Sequence, residues 1–376
     1  MESKFGGSKM NNKLPEGWKE VELGDVLEYE QPTDYIVNSE DYSDEYKTPV
    51  LTAGKSFILG YTDEKKGIYN KLPVIIFDDF TVASKYVTFP FKVKSSAMKL
   101  LTPKNKDVNL KYIFWLMQTI KVNSVSHKRY YLSKYQHIKI LFPPFPTQQK
   151  IVSILEKAEK AKELRKESDE LTNEFLKAVF MELFGDPLAG DSKFPIIKMG
   201  DYIQLIMGQA PLSNSYNAEG HGTIFVKVGE FGELYPRVEV YTTSPLKLAK
   251  KGDVLICVVG ATIGKINKGI DCAIGRSVAA IRPKKGLTQD YLFFLLAKHT
   301  QKYREKSQGS AQGVITKDHL NDLKIPLPPI ELQNKFASIV KEVEAMKEQQ
   351  KHSKEQLDDL FNVLMQKAFK GDLQNE

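Results

Sequence analysis

This chain contains its own frame twice, and that constrains its fold more than any other feature. Ile138-Lys139-Ile140 through Pro143-Pro144 reappears 185 positions later as Leu323-Lys324-Ile325 through Pro328-Pro329. Gln148, Lys150, Ser153 and Ile154 then match Gln333, Lys335, Ser338 and Ile339. Each copy leads into a long charged segment that ends in Phe184-Gly185-Asp186 or in Phe369-Lys370-Gly371-Asp372. Earlier landmarks repeat as well. Trp18 through Asp25 resembles Phe194 through Asp201, and Tyr112-Ile113-Phe114-Trp115-Leu116 pairs with Tyr291-Leu292-Phe293-Phe294-Leu295. A shared ancestor explains this more simply than chance, and so long a period means two duplicated domains rather than a solenoid. Between the borders, residues 26–110 and 202–289 share little beyond strand-like character. A common frame therefore holds two unlike inserts.

The length of 376 residues fits two domains better than one. With 41% hydrophobic and 27% charged residues there is apolar material for more than one core, which excludes wholesale disorder. A net charge of +7 is compatible with a polyanionic partner without demanding one. Cys257 and Cys272 are too few for a disulfide scaffold or a thiolate zinc site, and the 6 His are scattered. The expectation is a reduced, cytoplasmic, metal-free protein. The longest apolar runs, such as Val254 to Val259, fall far short of a bilayer span, and residues 1–13 read as a flexible leader.

Short β-rich runs at Val74–Phe77, Val254–Val259 and Val278–Ile281 are bounded by Gly, Pro and Asp, the pattern of buried strands. Residues 109–119 and 288–300 carry aromatics at helical spacing, with Asn109 and Thr288 as N-caps. Each domain is thus mixed α/β (α+β). The expected layout is a first domain at 14–145, a central long helix at 146–186, a second domain at 187–329 and a C-terminal long helix at 330–376.

The first long helix is expected over roughly 147–184, with Pro146 near its start and Gly185 and Pro187 as its stop. Along the second, Ile339, Val343, Met346, Gln350, Ser353, Leu357, Leu360 and Leu364 alternate by steps of four and three, a heptad seam. Its counterpart is Ile154, Ala158, Ala161, Arg165, Ser168, Thr172, Phe175 and Val179. Both seams are apolar at the ends and polar in the middle. Antiparallel pairing would place Arg165 and Ser168 beside Gln350 and Ser353, and duplication favours that arrangement through its pseudo-twofold. At ~1.5 Å per residue each helix spans about 55 to 60 Å. Two domains separated by such a coiled coil match two DNA sites one to two helical turns apart. The plainer possibility is two amphipathic helices, each packed on its own domain.

Phe142-Pro143-Pro144-Phe145 invites comparison with the catalytic loop of amino-group methyltransferases, where the residue before Pro-Pro supplies a side-chain oxygen to the target amine. Phe142 and Leu327 offer none, and no Gly-rich cofactor loop precedes either copy, so the Pro-Pro pair turns a strand into a helix. Gly260 to Lys265 has one residue too few between its glycines for a phosphate loop, with Ile266 where Ser or Thr would bind magnesium. It reads as a strand turn with an exposed lysine. Asp78-Asp79 and Asp63-Glu64-Lys65-Lys66 lack the partners of a nuclease site and read as solvated charge.

Polar, aromatic and basic loops occur at equivalent places in both halves: Ser126 to Lys134 and Ser307 to Lys317. Within them Lys128, Arg129 and Tyr130 in the first half, and Gln308 and Gln312 in the second, can contact phosphates or base edges. Lys55, Lys85, Tyr86, Lys227, Lys265, Arg276, Ser277 and Arg304 are further DNA-binding candidates. For any one of them a merely solvated loop is the alternative.

Leu14-Pro15-Glu16-Gly17-Trp18 with Leu23-Gly24-Asp25, the paired Pro-Pro segments with Gln148 and Gln333, Gly252-Asp253-Val254-Leu255 with Gly260 and Gly264, and Arg282-Pro283 occur together in this order. The chain so resembles the DNA specificity subunit of type I restriction-modification systems over nearly its whole length. That resemblance implies two target recognition domains, each reading one half of a bipartite double-stranded DNA site, separated by two long helices in an antiparallel coiled coil. It also implies two adenine methyltransferase subunits and a nuclease/translocase subunit as partners, with S-adenosylmethionine, ATP and magnesium on those partners. No cofactor and no catalytic residue are then expected here. Two other functions stay open at this point: a protein scaffold with only non-specific DNA affinity, and an enzyme combining recognition with methyl transfer through an unrecognised site.

Overall fold

The computed structural model describes residues 14–52, 56–121, 130–190, 192–307 and 314–375. The chain divides into two compact units: one holds the residues up to Arg165 together with those from Ser353 onward, the other holds Lys166–His352.

The first unit contains, in chain order, β1 (Lys19–Glu22), β2 (Leu27–Glu30), β3 (Thr48–Leu51), β4 (Ile58–Thr62), β5 (Val74–Asp78), β6 (Ser84–Val87), β7 (Lys92–Val93), β8 (Met98–Pro103) and β9 (Lys139–Phe142). β1 and β9 pair antiparallel. A four-stranded sheet follows the order β2-β8-β5-β6, and a three-stranded sheet the order β4-β3-β7, with β3 and β7 parallel.

The second unit contains β10 (Ile196–Lys198), β11 (Ile203–Met207), β12 (Tyr216–Asn217), β13 (Thr223–Val226), β14 (Tyr241–Thr242), β15 (Leu248–Ala249), β16 (Val254–Cys257), β17 (Ile266–Lys268), β18 (Cys272–Ile274), β19 (Val278–Pro283) and β20 (Lys324–Pro326). Here β10 pairs with β20, and the four-stranded sheet runs β11-β19-β16-β17. The second sheet, β12-β14-β13-β18-β15, again contains one parallel pair, β13 with β18. The inserts, which look unrelated in sequence, therefore share the strand order of their four-stranded sheets and a parallel pair in a second sheet, which has three strands in one unit and five in the other. Burial conserves the alternation of apolar residues, not their identity.

That alternation explains the continuous apolar runs. Ile75, Phe77 and Leu101 face one core, while Val74, Ile76 and Leu100 face another. In the second unit Val254, Ile256, Ala279 and Ile281 face one core, and Leu255, Val278 and Ala280 the other. A sheet buried on both faces needs apolar residues at every position.

The aromatic helices pack on the inner faces. Leu110–Thr119 starts at Asn109, whose Oδ1 accepts from the Lys111 and Tyr112 amides at 3.0 and 3.2 Å. Its counterpart runs Gln289–Ser307, beyond the expected end at Thr300. Tyr112 donates its hydroxyl to the Leu141 carbonyl at 3.0 Å, and Tyr291 does the same to Pro326 at 2.7 Å. The duplicated aromatics thus pin each helix to the strand before the Pro-Pro turn.

The two long helices are continuous over Phe145–Phe184 and Ile330–Lys370. Within the first unit Ile151, Val152 and Leu155 share a core with Met365 and Ala368, and Lys162 Nζ lies 2.7 Å from Asp358 Oδ1. Within the second, Phe180 and Phe184 each lie 5.5 Å from Phe336, and Gln350 Nε2 donates to Thr172 Oγ1 at 3.1 Å. Early residues meet late ones in both, so each unit holds an antiparallel pair. Three of the expected seam residues are not buried: Phe175, Met346 and Leu360 are 50%, 49% and 51% exposed. Val343 of the expected seam is buried, and the buried stripe in the second unit continues through Leu176, Phe180 and Val340 rather than through Phe175 and Met346. The cause is a second neighbour, because Phe180 also packs on Phe294 at 6.0 Å and Phe184 on Tyr291 at 4.8 Å. Ile154, Ala158, Ala161, Arg165, Ser168, Val179, Ile339, Ser353, Leu357 and Leu364 are half-buried, and Gln350 meets Thr172, one turn beyond Ser168. No helix among the described residues is long and apolar enough to cross a membrane.

Candidate nucleic-acid interface

One end of each four-stranded sheet gathers the turns that could touch a ligand. In the first unit β2 and β5 finish there while β6 and β8 begin there, as the registers Glu30↔Leu100, Asp78↔Met98 and Phe77↔Ser84 require. Gln31, Phe80, Ser95, Ser96 and Leu132 surround an open cleft of about 470 Å³ at this end. Phe80 is 49% exposed on the β5–β6 turn, and Ser95 and Ser96 are exposed on the β7–β8 turn.

The cleft's floor is a buried ion pair. Lys99 Nζ sits 3.2 Å from Asp79 Oδ2, and both side chains are almost completely enclosed. Lys99 also donates to Gln31 Oε1 at 3.3 Å and to the Ser96 carbonyl at 3.1 Å, and Asp79 Oδ1 accepts the Tyr131 amide at 2.9 Å. The reading of Asp78-Asp79 as solvated charge is therefore corrected for Asp79. Adjacent identical letters hid the alternation of a strand end, where one carboxylate caps the turn and the next points inward. Asp78 does the former, accepting from the Phe80 and Thr81 amides. The same correction applies to Glu64, which pairs with the buried Lys92 at 2.9 Å. Partial burial opposes ionisation of Glu64, but the Lys92 ammonium and the Ser39 and Asn38 amides outweigh it and hold the carboxyl at about 2.

The second unit builds the same end differently. β11 leads into Gly208-Gln209, β16 into the Gly260–Gly264 turn, and β18 joins β19 through Gly275-Arg276-Ser277. Arg276 and Gln209 are exposed and Ser277 is half-buried. Lys227 stands beside this turn, since a side chain at Gly275 would press on Lys227 Cγ at 3.2 Å. Its ammonium lies 3.7 Å from Glu230 and 5.7 Å from the Tyr216 ring centre. Lys265 is half-buried rather than exposed, because its Nζ donates to the Phe231 carbonyl at 2.8 Å. The structure thus brings Lys227, Lys265, Arg276 and Ser277 to one sheet end.

The other candidates fall as follows. Lys85 is exposed on β6, and Tyr86 beside it is half-buried, 5.8 Å from Phe114 with Lys111 Nζ 4.8 Å from its ring centre; burial pushes its phenol up. Tyr130 is half-buried, 6.4 Å from Tyr135. Arg304 belongs to the helix Gln289–Ser307. Lys55, Lys128, Arg129, Gln308 and Gln312 lie outside the described residues.

Sequence reasoning missed Gln31, Phe80, Ser95, Ser96 and Gln209. The small polar pair Ser95-Ser96 between two apolar runs was a legible turn, but nothing in it told which end of a sheet it would occupy. It also missed Lys268, which is buried between Asp290 and Glu344 and ties β17 to the second long helix. Burial opposes the Lys268 charge, and its two carboxylate partners more than offset this, so its pKa is raised. The only two cysteines, Cys257 and Cys272, are buried, and burial pushes the Cys272 thiol up to about 12. The Cys272 thiol is therefore held protonated at neutral pH. What the sheet ends present is hydroxyl, amide, guanidinium and aromatic surface, the groups that contact base edges and phosphates.

A family model described as "Type I restriction modification DNA specificity domain" matches residues 15–173 and again 191–372. The chain is 32% identical to the type I restriction enzyme EcoR124I/EcoR124II specificity subunit of Escherichia coli, across 85% of this chain and 84% of that one. It is 27% identical to the putative type I restriction enzyme MjaX specificity subunit of Methanocaldococcus jannaschii, across 96% and 94%. Among solved structures, it is similar to a chain from work on complex assembly and conformational transition of the type I R-M system, with a TM-score of 0.64, 25% identity and coverage of 96% and 100%. It shares its fold with the S subunit of a type I restriction-modification system from M. genitalium, with a TM-score of 0.60 at 16% identity and coverage of 96% and 98%. The chain belongs to the type I restriction modification DNA specificity family.

Proposed function

We propose that this chain is the DNA sequence-specificity subunit of a type I restriction-modification complex, in which each recognition domain reads one half of an asymmetric bipartite site. The observation that carries the reading is a repeated sheet with unrepeated tips. The four-stranded sheet has the same strand order in both units, yet equivalent connections present Ser95-Ser96 in one and Arg276-Ser277 in the other. One scaffold presenting two chemistries is what a split, unsymmetrical target asks for.

On this reading the recognition domains are residues 14–145 and 187–329, and the long helices set the half-site spacing and dock two adenine methyltransferase subunits. A nuclease/translocase subunit completes the complex. S-adenosylmethionine, ATP and magnesium act on those partners, and this chain contributes no catalytic group. Profiling of methylated adenines tests the proposal. A host with the complete system should show a split, asymmetric methylated motif that vanishes when this chain is removed. A motif that survives its removal, or methylation without sequence preference in its presence, refutes it.

A further inference from the structure

We infer that Arg276 reads a guanine in the half-site of the second unit, and that Ser95 and Ser96 occupy the equivalent reading position in the first. The inference rests on the specificity-subunit reading above and adds residues to it.

The equivalence comes from hydrogen bonding. β7 and β18 are the second strands of the parallel pairs β3–β7 and β13–β18. As the chain leaves these strands, the Lys94 amide donates to Leu51, the last residue of β3, at 3.0 Å. The Gly275 amide donates to Val226, the last residue of β13, at 2.9 Å. The next residues, Ser95-Ser96 and Arg276-Ser277, therefore lie in equivalent connections, β7–β8 and β18–β19, the first one residue longer than the second.

The turn at Arg276 is rigidly mounted. The Val278 amide closes it on the Gly275 carbonyl at 2.9 Å, which places Arg276 and Ser277 at its two central positions. The Ser277 carbonyl accepts from Val258, and the Gly208 and Gln209 amides donate to Val278 and Ile274, at 2.9 to 3.0 Å. Gly208 lies so close that a Cβ there would stand 2.2 Å from the Gly275 carbonyl, so only glycine allows this approach. Behind it β18 is fully buried, and so are Val278 to Ile281 of β19. Among the described residues none accepts a hydrogen bond from the Arg276 guanidinium. An exposed fork of donors on an immobile turn is suited to the two acceptors, O6 and N7, that guanine shows in the major groove.

The comparison between units separates base reading from phosphate binding. The DNA backbone is chemically the same in both half-sites, so a phosphate contact would keep its cation in both turns. Here the first unit carries two hydroxyls, and its nearby Lys94 is neutralised by Glu40. Variation in length and side chains at an equivalent connection is what different bases require.

The test uses the methyltransferase complex containing the full chain, wild type or with Arg276→Ala or Arg276→Lys. Both variants should keep the first half-site and the spacer while one guanine position of the second half-site relaxes, discrimination there falling roughly 10- to 100-fold. Replacing that guanine by 7-deazaguanine, which lacks the N7 acceptor, should weaken binding by the wild type but not by Arg276→Ala. If Arg276→Ala leaves the motif identical and only lowers affinity for all sequences and flattens the salt dependence, Arg276 holds a phosphate and the inference is overturned. A wild-type complex with no split motif would instead defeat the underlying reading.

Discussion

Gln148 and Gln333 are fully buried and make the same three hydrogen bonds in the two units. Each Oε1 accepts the amide that opens the aromatic helix, from Asn109 at 2.8 Å or Thr288 at 2.9 Å. Each Nε2 donates to the first proline carbonyl of its Pro-Pro pair, Pro143 or Pro328, both at 2.9 Å, and to Asp107 or Gly286. One side chain thus locks three segments: the strand that ends an insert, the aromatic helix and the start of a long helix.

Replacing either glutamine should therefore disturb its own unit. Gln148→Leu takes this partner from the Asn109 amide and from the Asp107 and Pro143 carbonyls, of which Pro143 is buried, and should cost about 2 to 4 kcal/mol; Gln333→Leu should cost a similar amount. Denaturant unfolding gives the size, and amide exchange gives the place, with the Asn109 amide exposed in the first variant and the Thr288 amide in the second. A loss below about 0.5 kcal/mol would mean that water replaces the side chain at no cost.

The cleft floor in the first unit makes a second prediction. Asp79→Ala abandons the Lys99 ammonium in a closed site and should destabilise by about 3 to 5 kcal/mol. Adding Lys99→Met should restore much of that loss, because a buried pair costs more when halved than when removed. A double-mutant cycle in urea measures the coupling. If the two losses simply add, the pair is not the unit of stability described here.

These two sites also show what could be read in advance. The duplication, the aromatic helices and the long helices were legible because they depend on residue type at fixed spacing: Tyr112 and Tyr291, Gln148 and Gln333. The shared sheet was not, since Val74–Asp78 and Val254–Cys257 hold their places by being apolar, a property many sequences satisfy. Asp79 and Glu64 read as surface charge because their cations, Lys99 and Lys92, come from other strands. The side chains at the sheet ends were legible only in part for the same reason. Arg276 stood out as a cation, while Gln31, Phe80 and Ser95 acquire meaning only when the strand order brings their turns together.

Glu64 makes the fold of the first unit sensitive to acid. Its carboxyl is held at about 2 in the folded chain, against an ordinary value of 4.5. The folded state thus binds the proton less readily than the unfolded one. The stabilisation is complete above the ordinary value and is lost as pH falls from about 5 towards 2. In Glu64→Gln the unfolding midpoint should be lower at neutral pH, and the gap from wild type should close across that window. A gap that stays constant with pH would show that Lys92 does not depend on the carboxylate.

Adding one heptad to each long helix should lengthen the spacer of the methylated motif by about three base pairs. The added rise is ~1.5 Å per residue, against 3.4 Å per base-pair step. The two half-sites themselves should stay readable, because neither sheet end is touched. Sequencing of methylated sites shows the outcome, and an unchanged spacer would remove the helices from the role of ruler.

The pairing of β1 with β9, and of β10 with β20, has an evolutionary consequence. Lys19 sits opposite Phe142, and Ile196 opposite Pro326, so each insert leaves and rejoins its frame at neighbouring points. Everything between is a cassette hung from a closed base. A lineage could graft in a foreign cassette whole, acquiring a new target in one genetic event, while the Gln148 and Gln333 clamps hold the recipient together.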